Sequence, residues 1–342
     1  MTLIDLVEQG WVPDRLARLG MRGLNTKRLW DEGKWDATRR AQRQREFVTS
    51  LSRGPLAAHT DAANQQHYEV PSAFFEVALG PQLKYSCCYF PHGNESLGEA
   101  EQAMLRLTCE RAELRDGQRV LELGCGWGSL SLWMAEHYPR SQIVALSNSA
   151  TQKSFIDARA SARALSNIQV VTQDMNDFHG AGAFDRVVSV EMFEHMRNYE
   201  LLLSRIKSWL KSDGRLFVHY FCHRELAYPF ETAGEDDWMA KYFFTGGIMP
   251  SFDMLQGFAQ HFHVEHDWWV AGTHYEKTSN AWLANTDAKR MRVGDIFHQA
   301  YGANDATIWI QRWRMFFMAV AELFGTNLGN TWGVGHYLLR PA

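Results

Sequence analysis

The stretch "VLELGCGWGSLSL", residues 120–132, sets the architecture of this chain. An apolar run ends at an acid, three alternating glycines follow it, and helix-forming residues resume after them. Glycine lets the backbone turn tightly and approach a ligand closely, and a helix N-terminus behind the turn offers free N–H groups. The stretch therefore predicts a buried strand, a ligand-binding turn and a helix.

Further apolar runs follow this stretch, and helical segments separate them. Two of these segments, residues 152–165 and 199–210, carry apolar residues at helical intervals. Short β-branched runs that alternate with helices are typical of a parallel, doubly wound sheet. The sequence therefore predicts an α/β protein of that kind. The five predicted strands are, in chain order, "RVLELGC" (119–125), "QIVALSN" (142–148), "IQVVTQD" (168–174), "DRVVSVE" (185–191) and "GRLFVHYF" (214–221).

The composition excludes several classes of protein. The 342 residues are 46% hydrophobic and have a net charge of −4, with 35 basic and 39 acidic residues mixed along the chain. Such a chain can bury a large core, but it has no basic field for nucleic acid, and we expect no nucleic-acid partner. The five cysteines match neither a zinc site nor a disulfide framework, which favours a cytoplasmic protein without a metal. We expect no membrane span, and contact with a membrane surface stays open.

The chain is predicted to contain two regions. Residues 1–60 place apolar residues at helical spacing among arginines and glutamates, and we expect a helical extension there. Residues 61–342 are expected to form the sheet domain. Within them a helix is predicted from Ser96 to Leu114, because Ser96 and Glu99 have the spacing of a capping box.

The turn does not fit a dinucleotide. In doubly wound sheets the ligand lies at the carboxyl ends of the strands, so the residues that close each strand are the candidates for binding. A dinucleotide site requires G-x-G-x-x-G, but Ser129 stands at the position of the third glycine. It also requires an acid about 20 residues later for the ribose, and "VALSNS" (144–149) contains none. The sequence therefore disfavours NAD.

The pattern E-x-G-x-G-x-G (122–128) resembles motif I of the S-adenosylmethionine-dependent methyltransferases. Longer strings resemble the cyclopropane fatty-acid synthase superfamily in order and spacing, and within it the branch of coclaurine-type N-methyltransferases. The resemblance covers essentially the whole chain. It implies a class I, Rossmann-like methyltransferase fold with an N-terminal helical extension and a helical, aromatic cap. The strings are "HYEVPSAFFEVALGPQLKYSCCYF" (67–90), "VSVEMFEHM" (188–196), "WMAKYFFTGGIMPS" (238–251) and "HYEKTSNAWL" (274–283).

By this resemblance the cofactor is S-adenosylmethionine and its product S-adenosylhomocysteine. The glycine turn passes the methionine tail, an acid after the third strand takes the adenine amino group, and hydroxyl and amide groups hold the ribose. Two residues of an N-terminal segment close over the cofactor. In that order, the implied residues are Glu122, Gly124 and Gly126; Asp174 and Met175; Ser147, Asn148 and Gln152; and Tyr85 and Ser86.

The first hypothesis for the acceptor is the nitrogen of a small, aromatic amine. An amine arrives mostly protonated at neutral pH, so a carboxylate or imidazole within hydrogen-bond reach must hold it and remove its proton. The fourth strand ends in "VEMFEHM", which offers Glu191, Glu194 and His195. In the coclaurine-type enzymes the matching residues handle the substrate. The residues leave a second interpretation open, in which Glu191 serves the cofactor and His195 begins a helix.

The second hypothesis is an unsaturated acyl chain, as in the lipid enzymes of the superfamily. There a bound bicarbonate takes a proton from a carbocation, giving a cyclopropane or a methyl branch. Against this hypothesis, Glu191 stands where cyclopropane synthases have glycine, and Thr245 departs from the pattern of both branches. The resemblance implies bicarbonate contacts from Cys87, Glu194, His219, the backbone of Phe221, and Tyr275.

The segment 227–285 is predicted to cap the acceptor site. It is rich in aromatic side chains, which enclose an aryl amine or an acyl chain and stabilise cations by cation–π contact. By family position the pocket residues are Tyr68, Phe221 and Phe244. The predicted partners are an amine or lipid acceptor and a second copy of the chain in a homodimer. A third hypothesis is a non-catalytic S-adenosylmethionine-binding protein, against which the complete set Glu191, Glu194 and His195 argues.

Overall fold

The computed structural model describes residues 2–33, 36–57, 70–180, 182–230 and 238–342. The predicted boundary between residues 60 and 61 lies outside these ranges, and the predicted division into an extension and a sheet domain stays a prediction. The predicted pocket residue Tyr68 also lies outside the described residues.

A seven-stranded sheet dominates the structure, in the order β3-β2-β1-β4-β5-β9-β8. The short strands β6 and β7 pair with each other in an antiparallel arrangement. The strands are β1 (Arg119–Leu123), β2 (Gln142–Ser147), β3 (Ile168–Thr172), β4 (Phe184–Val190), β5 (Leu210–His223), β6 (Tyr228–Pro229), β7 (Ile248–Met249), β8 (Phe262–Ala271) and β9 (Trp332–Pro341).

The first five strands confirm the prediction of a parallel sheet. Strand β1 pairs in parallel with β2 on one side and with β4 on the other, and β3 and β5 extend the two sides. The strand order therefore reverses beside β1. In open α/β sheets a ligand binds in the crevice at the carboxyl ends of the strands where the order reverses. Gly124 and Glu191, which follow β1 and β4, lie at that edge.

Strands β8 and β9 were not predicted. Strand β8 lies within 227–285, so part of the segment predicted as a cap belongs to the main sheet instead. Its sequence, "FHVEHDWWVA", carries four polar residues, and only Phe262 and Val270 are buried. In β9, "WGVGHYLLRP", two glycines interrupt the apolar pattern, although the first eight residues are buried. Propensity disfavours glycine in strands, so burial between two neighbours decides the structure here.

Helices follow β1, β2 and β4 before the next strand begins, and the predicted helices are among those that the structure contains. The capping box is confirmed: the Ser96 N–H donates to Glu99 Oε2 at 2.8 Å and the Glu99 N–H to Ser96 Oγ at 3.3 Å. No helix in the described residues is long and apolar enough to cross a membrane. The helices are α1 (Leu3–Glu8), α2 (Asp14–Gly33), α3 (Ala37–Ser50), α4 (Ser72–Ala78), α5 (Leu97–Arg111), α6 (Ser129–His137), α7 (Ala150–Ala162), α8 (Tyr199–Trp209), α9 (Trp238–Tyr242), α10 (Gly272–Ala288), α11 (Arg290–Tyr301) and α12 (Ala303–Phe324).

The described residues divide into two compact units. The helical unit contains the described residues of 1–40, 70–101 and 271–333, and the sheet unit those of 41–69, 102–270 and 334–342. In the sheet unit, neighbouring residues of β1 enter different cores: Val120 packs with Met134, whereas Leu121 packs with Leu202. Successive side chains of a strand point to opposite faces, so helices cover the sheet on both sides.

The helical unit is held together by aromatic and ionic contacts of its own. Phe74 packs on Trp313 with ring centroids 4.8 Å apart. Arg314, buried on α12, donates to Asp287 at 2.6 Å and to Asp14 at 2.6 Å. Its guanidinium therefore joins α12 to α10 and α2.

Candidate active site

The glycine turn after β1 has the backbone that its sequence predicts. Gly126 has φ +51° and Gly128 has φ +80°, values that L residues with side chains rarely adopt. A Cβ on Gly128 would lie 2.6 Å from Cγ1 of Ile156, so α6 and α7 pack closely at this point. A Cβ on Gly126 would meet no protein atom within 4 Å. The space beside Gly126 is therefore open to a ligand.

An open cleft lies at this turn, and all its lining residues belong to the sheet unit. Seven of the ten predicted cofactor residues line it, together with His195 from the predicted catalytic set. These seven are Gly124, Gly126, Ser147, Asn148, Gln152, Asp174 and Met175. Sequence reasoning missed Ala57, Leu146, Gln173, Met192 and Met196, and it singled out Thr245 only as a departure from the family pattern.

The polar lining fits a ligand with hydroxyl groups. Ser147 Oγ donates to Gln152 Oε1 at 2.7 Å, which leaves the amide nitrogen Nε2 of Gln152 to act as donor. That nitrogen is buried and has no hydrogen-bond partner within the described part of the chain. A buried donor without a partner costs free energy, so a ligand oxygen is expected there. The residues present thus fit the ribose of S-adenosylmethionine.

Two carboxyl groups hold the loops around the cleft. Asp174 accepts from the N–H of Asn176 at 2.7 Å and lines the cleft beside the buried Met175. Glu122 lies off the lining and accepts a hydrogen bond from the hydroxyl of Ser131 on α6. Because Glu122 belongs to β1, this contact fixes the helix behind the glycine turn against the sheet.

Glu194 is fully buried in the short helical turn 193–195 after β4. Its Oε1 accepts from the backbone N–H of Phe221 at 2.7 Å, and Oε2 is buried without a hydrogen-bond partner among the described residues. Burial, and then the negative charge of Glu191, raise the pKa of this carboxyl well above its ordinary value. Glu194 therefore favours the protonated form.

Glu191 follows β4 directly and has a strained backbone conformation. Its φ is +48°, in the left-handed region that costs a residue with a side chain about 1–3 kcal/mol. Its N–H donates to the carbonyl oxygen of His219 at 2.8 Å, and its Oε1 lies 3.2 Å from His219 Nε2. Both contacts tie Glu191 to β5 and so fix the direction of its carboxyl group.

The sequence analysis did not identify two residues that extend the hydrogen bonds of His219 away from Glu191. His219 Nδ1 lies 2.9 Å from Nε2 of His336 on β9, and His336 Nδ1 lies 2.9 Å from Nη1 of Arg111 at the end of α5. Both histidines are fully buried. The three residues are far apart in the chain and match no local motif. Only the insertion of β9 beside β5 brings them together.

An aromatic cluster adjoins the acidic pair. The His195 ring stacks on Phe244 with centroids 4.7 Å apart, and Phe244 meets the edges of Phe221 and Phe230, each at 5.2 Å. The structure thus brings the predicted pocket residues Phe221 and Phe244 together with the predicted catalytic residue His195. Phe230 was not singled out by the sequence, because one aromatic in a loop carries no periodic signal.

The remaining predicted site residues belong to the helical unit. The Cys87 thiol donates to the carbonyl oxygen of Cys88 at 3.3 Å, and the Tyr275 ring stacks on Phe324 at 4.5 Å. Ser86 Oγ accepts from Nζ of the buried Lys84. The Tyr85 ring packs 5.0 Å from Phe75 and 5.5 Å from Trp282. The roles expected of Cys87, Tyr275, Tyr85 and Ser86 stay predictions.

The cysteines and the other metal-binding side chains form no further site among the described residues. All five cysteines are buried and free of disulfides. Burial raises the pKa of Cys125 well above its usual value, and Glu122 adds to this, so its thiol is unreactive. Among the residues that the structure describes, no group of three or more histidine, cysteine, aspartate or glutamate side chains is arranged to hold a metal.

Comparison with known proteins relates this geometry to a family. Residues 57–332 match the family described as mycolic acid cyclopropane synthetase. (S)-Coclaurine N-methyltransferase from Thalictrum flavum subsp. glaucum is 37% identical, over 99% of this chain and 95% of that protein. The cyclopropane-fatty-acyl-phospholipid synthase of Escherichia coli (strain K12) is 30% identical, over 69% of this chain and 59% of that enzyme.

A solved structure matches the fold along nearly its whole length. The crystal structure of coclaurine N-methyltransferase bound to N-methylheliamine and S-adenosylhomocysteine superimposes with a TM-score of 0.95 at 35% sequence identity. The match covers 99% of this chain and 98% of that structure.

Proposed function

We propose, from the premise that this chain belongs to the mycolic acid cyclopropane synthetase family and is an S-adenosylmethionine-dependent methyltransferase, that its acceptor is the nitrogen of a small aromatic amine. The predicted fold class, cofactor and enzyme class are confirmed by the same matches. One observation carries the acceptor proposal: Glu194 accepts from the N–H of Phe221, whose ring meets Phe244, and Glu191 lies near enough to Glu194 for its charge to raise that pKa. Negative charge and aromatic faces suit a cationic amine better than an acyl chain.

The cleft positions the cofactor through groups of this chain. When bound, S-adenosylmethionine supplies a methyl group made electrophilic by its positive sulfonium. The open space at Gly126 would admit the methionine tail, Gln152 Nε2 would donate to a ribose oxygen, and Asp174 would accept from the adenine amino group. These contacts fix one orientation, and the proximity they provide is the main source of catalysis in a methyl transfer.

The acidic pair prepares the amine for attack. Glu194, protonated because of its burial, adds no second charge, so the negative charge rests on Glu191, which His219 holds in place. Glu191 accepts the ammonium proton: the N–H bond breaks, an O–H bond forms, and the nitrogen keeps its electron pair for in-line attack on the methyl group. The faces of Phe244 and His195 hold the cationic acceptor and product.

The lipid hypothesis fits these contacts less well. Two of the groups that would hold bicarbonate are already bound, since the Phe221 N–H donates to Glu194 and His219 Nε2 contacts Glu191. A bicarbonate ion at this point would also face the charge of Glu191, which the lipid enzymes lack at this position. Like charges at close range disfavour binding.

The test is a methyl-transfer assay with labelled S-adenosylmethionine. One panel contains aromatic secondary amines, coclaurine among them, and the other contains vesicles of unsaturated phospholipid. We expect labelled N-methyl product in the first panel only, and no change when carbonate is stripped from the buffer. Methylene or methyl groups added to lipid, with no methylated amine, would overturn the acceptor proposal.

Variants test the assigned residues. Glu191→Gln and His195→Ala should each lower kcat by roughly 10²–10⁴ while the affinity for S-adenosylhomocysteine stays within a few fold. Glu225→Gln removes an exposed carboxylate from the loop after β5 and serves as the matched control. Equal loss of cofactor binding in Glu191→Gln would instead assign that residue to the cofactor.

Compartment and assembly complete the proposal. Five thiols without a disulfide support a reducing compartment such as the cytoplasm. A homodimer is proposed from the sequence analysis alone, and analytical ultracentrifugation at several concentrations tests it. A single monomeric species throughout would contradict it.

A further inference from the structure

We infer that Arg111 and His336 are positioning residues, which act through His219 to fix the catalytic carboxylate of Glu191. Together with His219 they form a hydrogen-bonded line, called here the histidine line, that enters the sheet unit from α5 and ends at β4. The inference deepens the proposed function and rests on it for the role of Glu191. The direction of the line, however, follows from hydrogen-bond chemistry alone.

Arginine sets the direction, because a guanidinium donates hydrogen bonds and cannot accept them. Nη1 of Arg111 lies 2.9 Å from Nδ1 of His336, so that ring nitrogen must accept and carries no proton. The proton of neutral His336 is then on Nε2, 2.9 Å from Nδ1 of His219. Nδ1 of His219 accepts in turn, which leaves the proton of His219 on Nε2, directed at Glu191.

The surroundings hold the line in this arrangement. His219 and His336 have no exposed surface, so water does not compete for their ring nitrogens. The Phe217 ring packs against His336 with its centroid 5.3 Å away. The guanidinium of Arg111 lies 4.9 Å from the Trp268 ring centroid, a cation–π contact that fixes its position. A histidine donor locked by a partner behind it orients its acceptor better than a free one.

The tautomer of His219 affects whether the Glu191 carboxyl group is ionised. A donor on His219 Nε2 stabilises the ionised carboxylate, the form that accepts the amine proton. If His219 carried its proton on Nδ1, Nε2 would present a lone pair to the carboxylate, and repulsion would turn Glu191 away. The Arg111 charge thus determines, through two rings, which atom faces Glu191. No covalent bond changes within the line.

The kinetic experiment uses Arg111, which is partly exposed and whose replacement spares the core. Arg111→Met removes the donor and keeps the apolar stem, Arg111→Lys keeps a donor, and Arg106→Met on the exposed side of the same helix is the matched control. We expect Arg111→Met to lower kcat for the amine about 10–100-fold, the range known for groups that orient metal-ligating histidines. The KM for S-adenosylmethionine should not change, and Arg111→Lys should restore most of kcat.

A spectroscopic readout separates this inference from the proposed function. In protein with ¹⁵N-labelled histidine, two-bond ¹⁵N–¹H correlation spectra distinguish the two tautomers. We expect His219 and His336 to be Nε2–H in the wild type and altered in Arg111→Met, with unchanged spectra in Arg106→Met. An Nδ1–H tautomer at either histidine in the wild type overturns the inference, as does wild-type kcat in Arg111→Met. If the wild type methylates no amine, the proposed function fails, and the spectra alone decide the histidine line.

Discussion

At the scale of single residues, the site depends on a side chain in a backbone conformation that suits glycine. Glu191 has φ +48°, and the related cyclopropane synthases are expected to have glycine at this position. The strain persists because the N–H and carboxyl of Glu191 are both bound to His219. Strained residues of this kind concentrate at functional sites. The strain at Glu191 lowers the stability of the protein, and the proposed function accounts for it by the need for a carboxylate beside the acceptor.

A pair of substitutions measures this cost. Glu191→Ala and Glu191→Gly both remove the carboxylate and should both abolish methyl transfer. Only glycine relieves the left-handed strain, so we expect Glu191→Gly to be more stable than Glu191→Ala by about 1 kcal/mol. Unfolding in urea, followed by circular dichroism, gives the difference. Equal or greater stability of the alanine variant would contradict the assignment of strain to this residue.

Glu194 gives the stability of the protein a pH dependence. The pKa of Glu194 is raised in the folded protein. At pH values between the pKa of the unfolded carboxyl, about 4.3, and the folded pKa, the native state therefore binds more protons than the unfolded state. Stability must then fall as pH rises through that window. Glu194→Gln has no carboxyl group at this position, so its stability does not fall with pH for this reason. We expect its advantage in melting temperature over the wild type to be small at pH 5 and to grow toward pH 8.

The exposed Glu225 supplies the control for this experiment. Glu225→Gln removes an exposed carboxylate and is melted at the same pH values. A Glu194→Gln advantage that shrinks as pH rises would mean that the folded protein favours the charged carboxylate.

At the scale of elements, two glycines in the turn between β1 and α6 are expected to be required for different reasons, one for ligand binding and the other for packing. A methyl group on Gly126 would enter open space beside the cleft, whereas one on Gly128 would collide with Ile156. Both glycines have positive φ, so the backbone strain of an alanine is common to the two sites. The difference between the two variants therefore reports on their surroundings.

We expect Gly126→Ala to weaken S-adenosylhomocysteine binding at least tenfold with a modest loss of stability. Gly128→Ala should lose more stability, because Ile156 is fully buried and cannot move away cheaply. Calorimetric titration and thermal melts of the two variants measure this. Normal cofactor affinity in Gly126→Ala would show that the cofactor does not approach this side of the turn.

The elements also show what the sequence can and cannot predict. Strands β1–β5 were predicted because each is a short apolar run bounded by turns. The seven lining residues were implied by the resemblance to the methyltransferases, and most of them lie just after these strands. Strand β9 was missed, since Gly333 and Gly335 break its pattern and only its neighbours explain its burial. The histidine line was missed for the same reason: its members meet through sheet order, which pairwise spacing along the chain does not encode.

At the scale of the whole molecule, the cofactor is expected to stabilise one of the two units more than the other. Every residue that lines the cleft belongs to the sheet unit. A ligand that binds only the folded state stabilises it by about 2.7 kcal/mol at a concentration of 100 times Kd. The stabilisation from S-adenosylhomocysteine should therefore concentrate in the sheet unit.

Hydrogen exchange tests this expectation at the level of peptides. With saturating S-adenosylhomocysteine, protection should rise most in peptides that contain Gly126, Gln152 and Asp174. NAD at the same concentration should change neither exchange nor the melting temperature. Protection confined to the helical unit would contradict the position of the cofactor in this cleft.

The position of β9 also determines when the site can form during synthesis. Strand β9 lies between β5 and β8 in the sheet, yet it leaves the ribosome after both. At about 5–20 residues per second, several seconds separate the emergence of β5 from that of β9. During that interval the edge of β5 is uncovered, and His219 lacks the partner that His336 later provides. Until β9 emerges, the Glu191 carboxylate therefore lacks the support that His336 gives it through His219. A chaperone that shields the edge of β5 would act within that interval.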